Sequence, residues 1–208
     1  DLSNQLPAFD LDEQGALTFA AGFPYNTSHR HFSNAMAIHP LGLIDWSKGE
    51  KDRRIIQATI ANFEKVGPDY WCGYSYSWFG NMKARAMDGE GAADELRTFA
   101  NCFCLRNTFH ANGDQSKTGK SKFTYRPFTL EGNFAFAAGI QEMLIQSHTG
   151  IIRIFPAVPS EWKNVSFEKL RTYGAFLVSA EKKAGRVVRV TIVSQAGGLL
   201  RLAYPFGQ

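Results

Sequence analysis

The sequence predicts an α+β chain in which helices come first and strands second, a layered helical part followed by an antiparallel, β-sandwich-like module. Three observations carry the order of the elements. From Asp52 to about Gly150 apolar residues recur at three- and four-residue spacing. Beyond Gly150 the period changes to two. Helical periodicity does not return after that point, so strands and helices do not alternate and a βαβ sheet is excluded. The boundary divides a helical part, residues 1–150, from an all-β part, residues 151–208.

Residues 1–28 hold Pro7, Gly15, Gly22 and Pro24 and read as an extended lead-in with a short strand or turn around Ala16 to Ala20. At His29-Arg30-His31 two imidazoles flank a guanidinium. Side chains two apart share a face only in an extended segment, so an HxH metal pair is one reading. No third ligand stands nearby, and the sequence gives neither a metal site nor a cofactor. Asp52 to Val66 carries Ile55, Ile56, Thr59, Ile60 and Phe63 on one stripe and charge on the other, an amphipathic helix stopped at Gly67-Pro68. Trp71 to Trp78 is a dense aromatic turn leading into a helix that runs to Asp88-Gly89. Glu90 to Arg106 is the next helix, and the short connection makes the two antiparallel. Asn107 to Thr124 is polar and reads as a mobile loop.

Tyr125 to Gly150 is the stretch around which the rest is arranged. Pro127 ends what precedes it, Glu131, Gly132 and Asn133 form a polar turn, and an apolar, largely buried helix follows. The small residues Ala135, Ala137, Ala138 and Gly139 let neighbouring helices approach. Glu131 therefore stands at a helix N-terminus, either as a cap that complements the dipole or as a functional carboxylate. Five strands are expected after Gly150: Ile151 to Phe155, Val165 to Tyr173, Ala175 to Lys182, Val187 to Ser194 and Leu199 to Ala203.

Seventeen Phe, seven Tyr and four Trp furnish core material and, secondarily, rings for stacking on sugars. The net charge of +4 is spread out except for Lys117 to Lys122, which argues against a nucleic-acid footprint. No run approaches a membrane span. Cys72, Cys102 and Cys104 match neither a zinc spacing nor a disulfide framework and read as small apolar residues.

Three stretches together resemble glycoside hydrolase family 95, whose members act on α-L-fucosides and α-L-galactosides. They are His29-Arg30-His31-Phe32-Ser33 with His39-Pro40; Gly73-Tyr74-Ser75 with Trp78, Ala84-Arg85 and Asp88-Gly89; and Pro127 to Phe134 with Ala138-Gly139-Ile140, Glu142-Met143-Leu144, Gln146-Ser147, Pro156 to Pro159 and Trp162. The resemblance implies an (α/α)6 toroid flanked by β domains, and an inverting reaction in which one carboxylic acid protonates the leaving oxygen while a second carboxylate directs water to the opposite face. The second carboxylate falls at Glu131. By the same resemblance Asn133, His29 and His31 line the sugar site, Trp78 gives it an aromatic wall, and Arg126 stands near Glu131, where it holds the carboxylate ionised either as a base or as an inert ion pair.

The family pattern has Asp where this chain has Glu131, one methylene longer, on the order of 1.5 Å. The family's general acid and Asn pair have no counterpart before His29. The resemblance therefore implies the C-terminal portion of a larger, exported enzyme acting on an oligosaccharide, with a catalytically inactive binding module, or a toroid glycosidase for another sugar, as the alternatives. It also implies an uncovered apolar helix face that self-associates or pairs with the absent N-terminal half, and a better closed β module.

Overall fold

The structure, a computed structural model, describes residues 8–206. Four α-helices precede five strands: α1 (Glu50–Val66), α2 (Gly73–Arg85), α3 (Gly89–Cys102), α4 (Glu131–Leu144), then β1 (Ile145–Gln146), β2 (Arg153–Ile154), β3 (Val165–Thr172), β4 (Phe176–Lys183) and β5 (Arg186–Ser194). Helices come first and antiparallel strands second. Of the lead-in, residues 1–7 lie outside the described residues; the remainder is tied by the isolated bridges Leu11↔Leu17 and Ala20↔Phe23.

The buried centre is α2. Every one of its residues except Tyr74 is buried, including Ser75, Ser77, Asn81, Lys83 and Arg85. Burying such groups is tolerable only when they find partners; among the described residues Ser77 Oγ, Asn81 Oδ1 and Arg85 Nη1 have none, and the other groups find theirs on the surrounding elements. Ser75 Oγ donates to Arg30 O at 2.7 Å, and Asn81 Nδ2 to Ala135 O at 2.8 Å. Lys83 Nζ lies 2.9 Å from both Glu64 and Glu95, and Arg85 forks onto Glu142 at 2.7 and 2.8 Å. Successive contacts set the helix directions. Gly73 meets Phe103, Gly80 meets Leu96 and Gly91 meets Lys83, so α2 and α3 are antiparallel; Asn81 meets Gly139 and Arg85 meets Glu142, so α2 and α4 run parallel. Leu96 fits between two glycines: a Cβ on Gly80 or Gly139 would stand 3.0 or 2.9 Å from its methyl carbon.

The expectation that α4 is largely buried is corrected. Only Gly132, Gly139 and Met143 are buried in it, and Phe134 is 65% exposed. One flank packs on α2 and α3; on the other Glu131, Phe134, Ala137 and Gln141 are exposed, a mixed face on which Phe134 is the large apolar residue. The polar loop from Asn107 to Thr124 is also corrected. His110, Ala111, Gly113 and Asp114 are buried, and main-chain bonds tie the segment to Cys102, Phe103, Gly73, Phe123 and Tyr125. Asp114 organises it by accepting from Ser116 N, Ser116 Oγ and Lys120 N at 2.8, 2.5 and 2.9 Å. Burial alone would raise its carboxyl pKa, but these hydrogen bonds hold it below the usual value.

Strand pairing starts at Ile145, before Gly150: β1 pairs with β2, and β3-β4-β5 form a separate antiparallel sheet. Phe176, Val178 and Ala180 alternate inward on β4 against Ile145, Ile152 and Phe167. Leu199 to Ala203 is not a strand; Leu202 makes a single parallel bridge to Ile152, because Gly197 and Gly198, both at positive φ, and then Pro205 leave no room to extend the ladder. The module is less closed than expected, with β5 an exposed edge on which Val188 and Val193 face solvent.

Helices and β module meet at a polar cluster. His148 Nε2 lies 2.6 Å from Asp45 Oδ2, and the Arg85–Glu142 pair lies alongside. Burial, with the Arg85 charge adding to it, pushes the His39 imidazole down to about 4. Among the described residues its Nδ1, sealed from solvent, has no partner. An imidazole held neutral in the fold takes its proton earlier in the unfolded chain, so the stability it allows is complete above about pH 6.5 and is lost as pH falls to about 4. The loss expected from His39 is about 3 kcal/mol. Urea titrations across this range should show it, and His39→Gln should flatten that part of the profile.

Candidate active site

The His29–His31 segment is fixed from both ends by the core. Phe32 is fully buried, with its ring 4.7 Å from Phe63, 5.0 Å from Trp71 and 5.5 Å from Trp78. Tyr25 Oη accepts from His29 N and donates to His29 O, both at 3.0 Å, and Trp71 Nε1 donates to Tyr25 Oη at 3.2 Å. With Ser75 holding Arg30 O, the backbone on each side of the two imidazoles is fixed while the rings remain at the surface. They stand 5.4 Å apart, edge to face. His31 N donates to His29 Nδ1 at 3.2 Å, so that nitrogen is occupied within the segment. Among the described residues no group of three or more His, Cys, Asp or Glu is placed to hold a metal.

His29, His31, Tyr74 and Trp78 line one cavity of about 670 Å³, with Phe19, Pro24, Asn26, Thr27, Ser28 and Ser33. Trp78 is anchored by Nε1 donating to His39 O at 3.0 Å, and its ring lies 5.5 Å from that of Tyr74. Burial raises the Tyr74 phenol pKa, and the Cys72 and Glu131 charges act in the same direction, so it stays a neutral donor. Burial, then Arg30 and His29, lower the pKa of His31, while Glu131 opposes them. Glu131 is exposed at the first turn of α4, outside the cavity lining but near enough to act on His31, Tyr74 and His110. The site thus assembles a carboxylate, two imidazoles, a phenol and an indole from three separate stretches of chain.

The remaining predicted residues fall differently. Asn133 is engaged with the backbone, its Oδ1 accepting from His110 N at 3.1 Å and its Nδ2 donating to Thr108 O at 3.0 Å. Arg126 is exposed, and no ion pair within 4 Å joins it to Glu131 among the described residues. Two residues escape the sequence reading. Tyr74 had a signal, since it precedes Trp78 by one helical turn and shares its face. His110 had none, being a lone imidazole in a polar, aperiodic stretch. It is fully buried, its Nδ1 2.8 Å from Thr129 Oγ1, wedged between the glycines that open α2 and α4, Gly73 and Gly132. It therefore sets the spacing between those helix N-termini and the height at which Glu131 emerges.

The family model described as the glycosyl hydrolase family 95 catalytic domain matches residues 4–144, and that of the family 95 C-terminal domain matches residues 146–206. The chain belongs to glycoside hydrolase family 95. A curated relative, alpha-L-fucosidase 2 of Arabidopsis thaliana, is 29% identical over 178 residues, which cover 85% of this chain and 20% of the relative. The chain thus spans about a fifth of that relative's length. The junction between the two family domains coincides with the end of α4 at Leu144 and the first strand residue, Ile145.

The wedge makes a stability prediction. In Gly132→Ala the new Cβ would stand 2.5 Å from His110 Nδ1 and 2.7 Å from Phe99 Cε2. Overpacking of this kind costs about 1–3 kcal/mol. The urea midpoint should fall with an unchanged m-value.

Proposed function

We propose that this chain is the C-terminal portion of an inverting exo-glycosidase that removes a terminal α-L-fucose, or a related α-L-sugar, from oligosaccharides. The observation that carries the reading is Glu131 at the N-terminus of α4, beside a cavity walled by His29, His31, Tyr74 and Trp78. In the proposed reaction Glu131 takes a proton from the water that attacks the anomeric carbon, and a carboxylic acid on the opposite side of the sugar protonates the leaving oxygen. An inverting pair of this kind stands about 6.5–9.5 Å apart to admit the water. His29 and His31, with neighbouring donors, hold ring hydroxyls; the indole and phenol pack against apolar C–H faces. Asn133 serves by holding the loop of His110 in place, and Arg126 borders the site from solvent.

Family membership and the fucosidase relative support this substrate class, and the limited coverage of that relative supports a role within a larger assembly. In that assembly the four helices are part of an (α/α)6 toroid. Phe109 and Phe128, stacked at 4.7 Å, with Leu130 and Phe134, form the exposed apolar patch that the remaining helices, or a second copy of the chain, cover. The protein works outside the cytoplasm, where such glycans are encountered.

A second reading, an inactive sugar-binding module, is favoured by one observation: no residue lining the cavity is acidic. The two readings are separated by adding the upstream family 95 helices, co-expressed or fused. An aryl α-L-fucoside should not be turned over by the 208-residue chain alone, since loss of the general acid forfeits about 10² to 10⁴ in rate. The completed protein should turn it over, and Glu131→Gln should abolish that turnover while leaving fucose binding intact. A completed protein that binds fucose without hydrolysis would establish the binding module instead.

A further inference from the structure

The β module carries a second concavity, of about 320 Å³, at the end of the β3-β4-β5 sheet opposite its turn at Gly174. Its cationic side is built by the β4–β5 hairpin. Ala184 and Gly185 both adopt positive φ, the two-residue turn that matches strand twist, and they set Lys182 and Arg186 on either side of it. Lys182 continues the inward row of Phe176, Val178 and Ala180, and an irregularity in register between Glu181 and Lys182 pairs it with Val187. A lysine at the end of an inward row points over the core edge rather than out to solvent. Burial lowers the Lys182 pKa, and the Lys163 charge lowers it further. Among the described residues no carboxylate lies within 4 Å of Lys163, Lys182 or Arg186, whereas the neighbouring Lys183 and Arg189 both share Glu181. None of the ten residues lining the concavity is acidic.

The opposite wall is aromatic. Tyr204 is 79% exposed, and Phe206 meets it edge to face at 5.8 Å, which leaves a flat phenol face at the rim. The floor includes Phe155, a bulky residue held at φ 51°. Non-glycine residues in that conformation are strained, and such strain concentrates at ligand sites.

We propose that this concavity is a binding subsite for an acidic sugar residue, a uronate or sulfated unit of a glycan, separate from the His29–His31 cavity. Lys182 and Arg186 receive the carboxylate or sulfate and Tyr204 packs on the sugar ring. Unneutralised cations converging on a pocket select an anion; an exposed ring at the rim selects a ligand with a flat C–H face over a bare ion. The volume sits at the small end of ligand pockets, about 300–1,000 Å³, which suits a chain end or a single side unit. The subsite would hold an acidic glycan on the β module independently of hydrolysis.

Calorimetric titration of the 208-residue chain with an oligogalacturonate, a neutral galactose oligomer of equal length, and inorganic sulfate tests this. The acidic oligomer should bind at least about tenfold more tightly than either control, equivalent to about 1.4 kcal/mol, and added salt should weaken it. Lys182→Gln with Arg186→Gln, and separately Tyr204→Ala, should each lower the affinity about tenfold or more. Arg186 and Tyr204 are exposed and Lys182 is half-buried, and unchanged circular dichroism will confirm folding. Methyl resonances of Ile154 and Val187 should move on titration. Equal binding of the neutral oligomer, sulfate binding as tightly as the oligomer, absence of binding, insensitivity to the substitutions, or shifts confined to the His29–His31 cavity would each overturn the proposal.

Discussion

Burial of α2 on nearly all sides is the constraint from which the rest of the structure follows. A helix so enclosed cannot leave its polar groups to water, and this one carries Ser75, Asn81, Lys83 and Arg85 inside. Each reaches out to a surrounding element: Ser75 to the His29–His31 segment, Asn81 and Arg85 to α4, and Lys83 to α1 and α3. Those bonds act as a register. Removing one partner would leave a buried charge or donor uncompensated, at a cost of about 3–5 kcal/mol for an ion pair, so the arrangement around α2 is specified even though each buried pair adds little net stability over an apolar core.

The candidate site inherits its geometry from that centre. Phe32 places the two histidines by sitting among aromatic rings, and the glycines that open α2 and α4 admit His110 between them. Glu131 is thus carried by a helix whose approach is set by contacts of Leu96 and His110 rather than by its own hydrogen bonds. Rigid placement from behind, with exposed functional groups in front, is the division of labour expected of a catalytic site, where small displacements cost large factors in rate.

Charge is distributed with the same economy. Burial keeps His31, His39 and His110 neutral near pH 7, so the imidazoles around the helical part act as hydrogen-bonding groups rather than cations. Net positive charge lies instead on the β part: residues 151–208 hold nine Lys and Arg against three Glu, residues 1–150 fourteen against sixteen Asp and Glu. The two halves of this family 95 chain therefore present different surfaces, one aromatic and weakly charged, the other cationic.

Much of this was legible in the sequence because it depends on period and spacing. The change from a 3.6 to a 2 period located the helices and the antiparallel strands; the motifs around His29, Gly73 and Glu131 identified the family, and those at His29 and Gly73 meet at one cavity. What only the tertiary structure decided depends on contacts between distant segments. The sequence favours α4 as the buried helix because it is the most apolar, yet α2, rich in Ser, Asn, Lys and Arg, is the centre, since burial is set by how many neighbours surround a helix and not by its own polarity. The loop from Asn107 to Thr124 reads as mobile because its composition is polar, but Asp114 folds it through main-chain donors that no composition records. His110 becomes a wedge only because two glycines, Gly73 and Gly132, some sixty residues apart in sequence, meet around it. Local pattern reports which face a segment must hide; the partner that hides it, and the side chains thereby brought together, are properties of the folded chain alone.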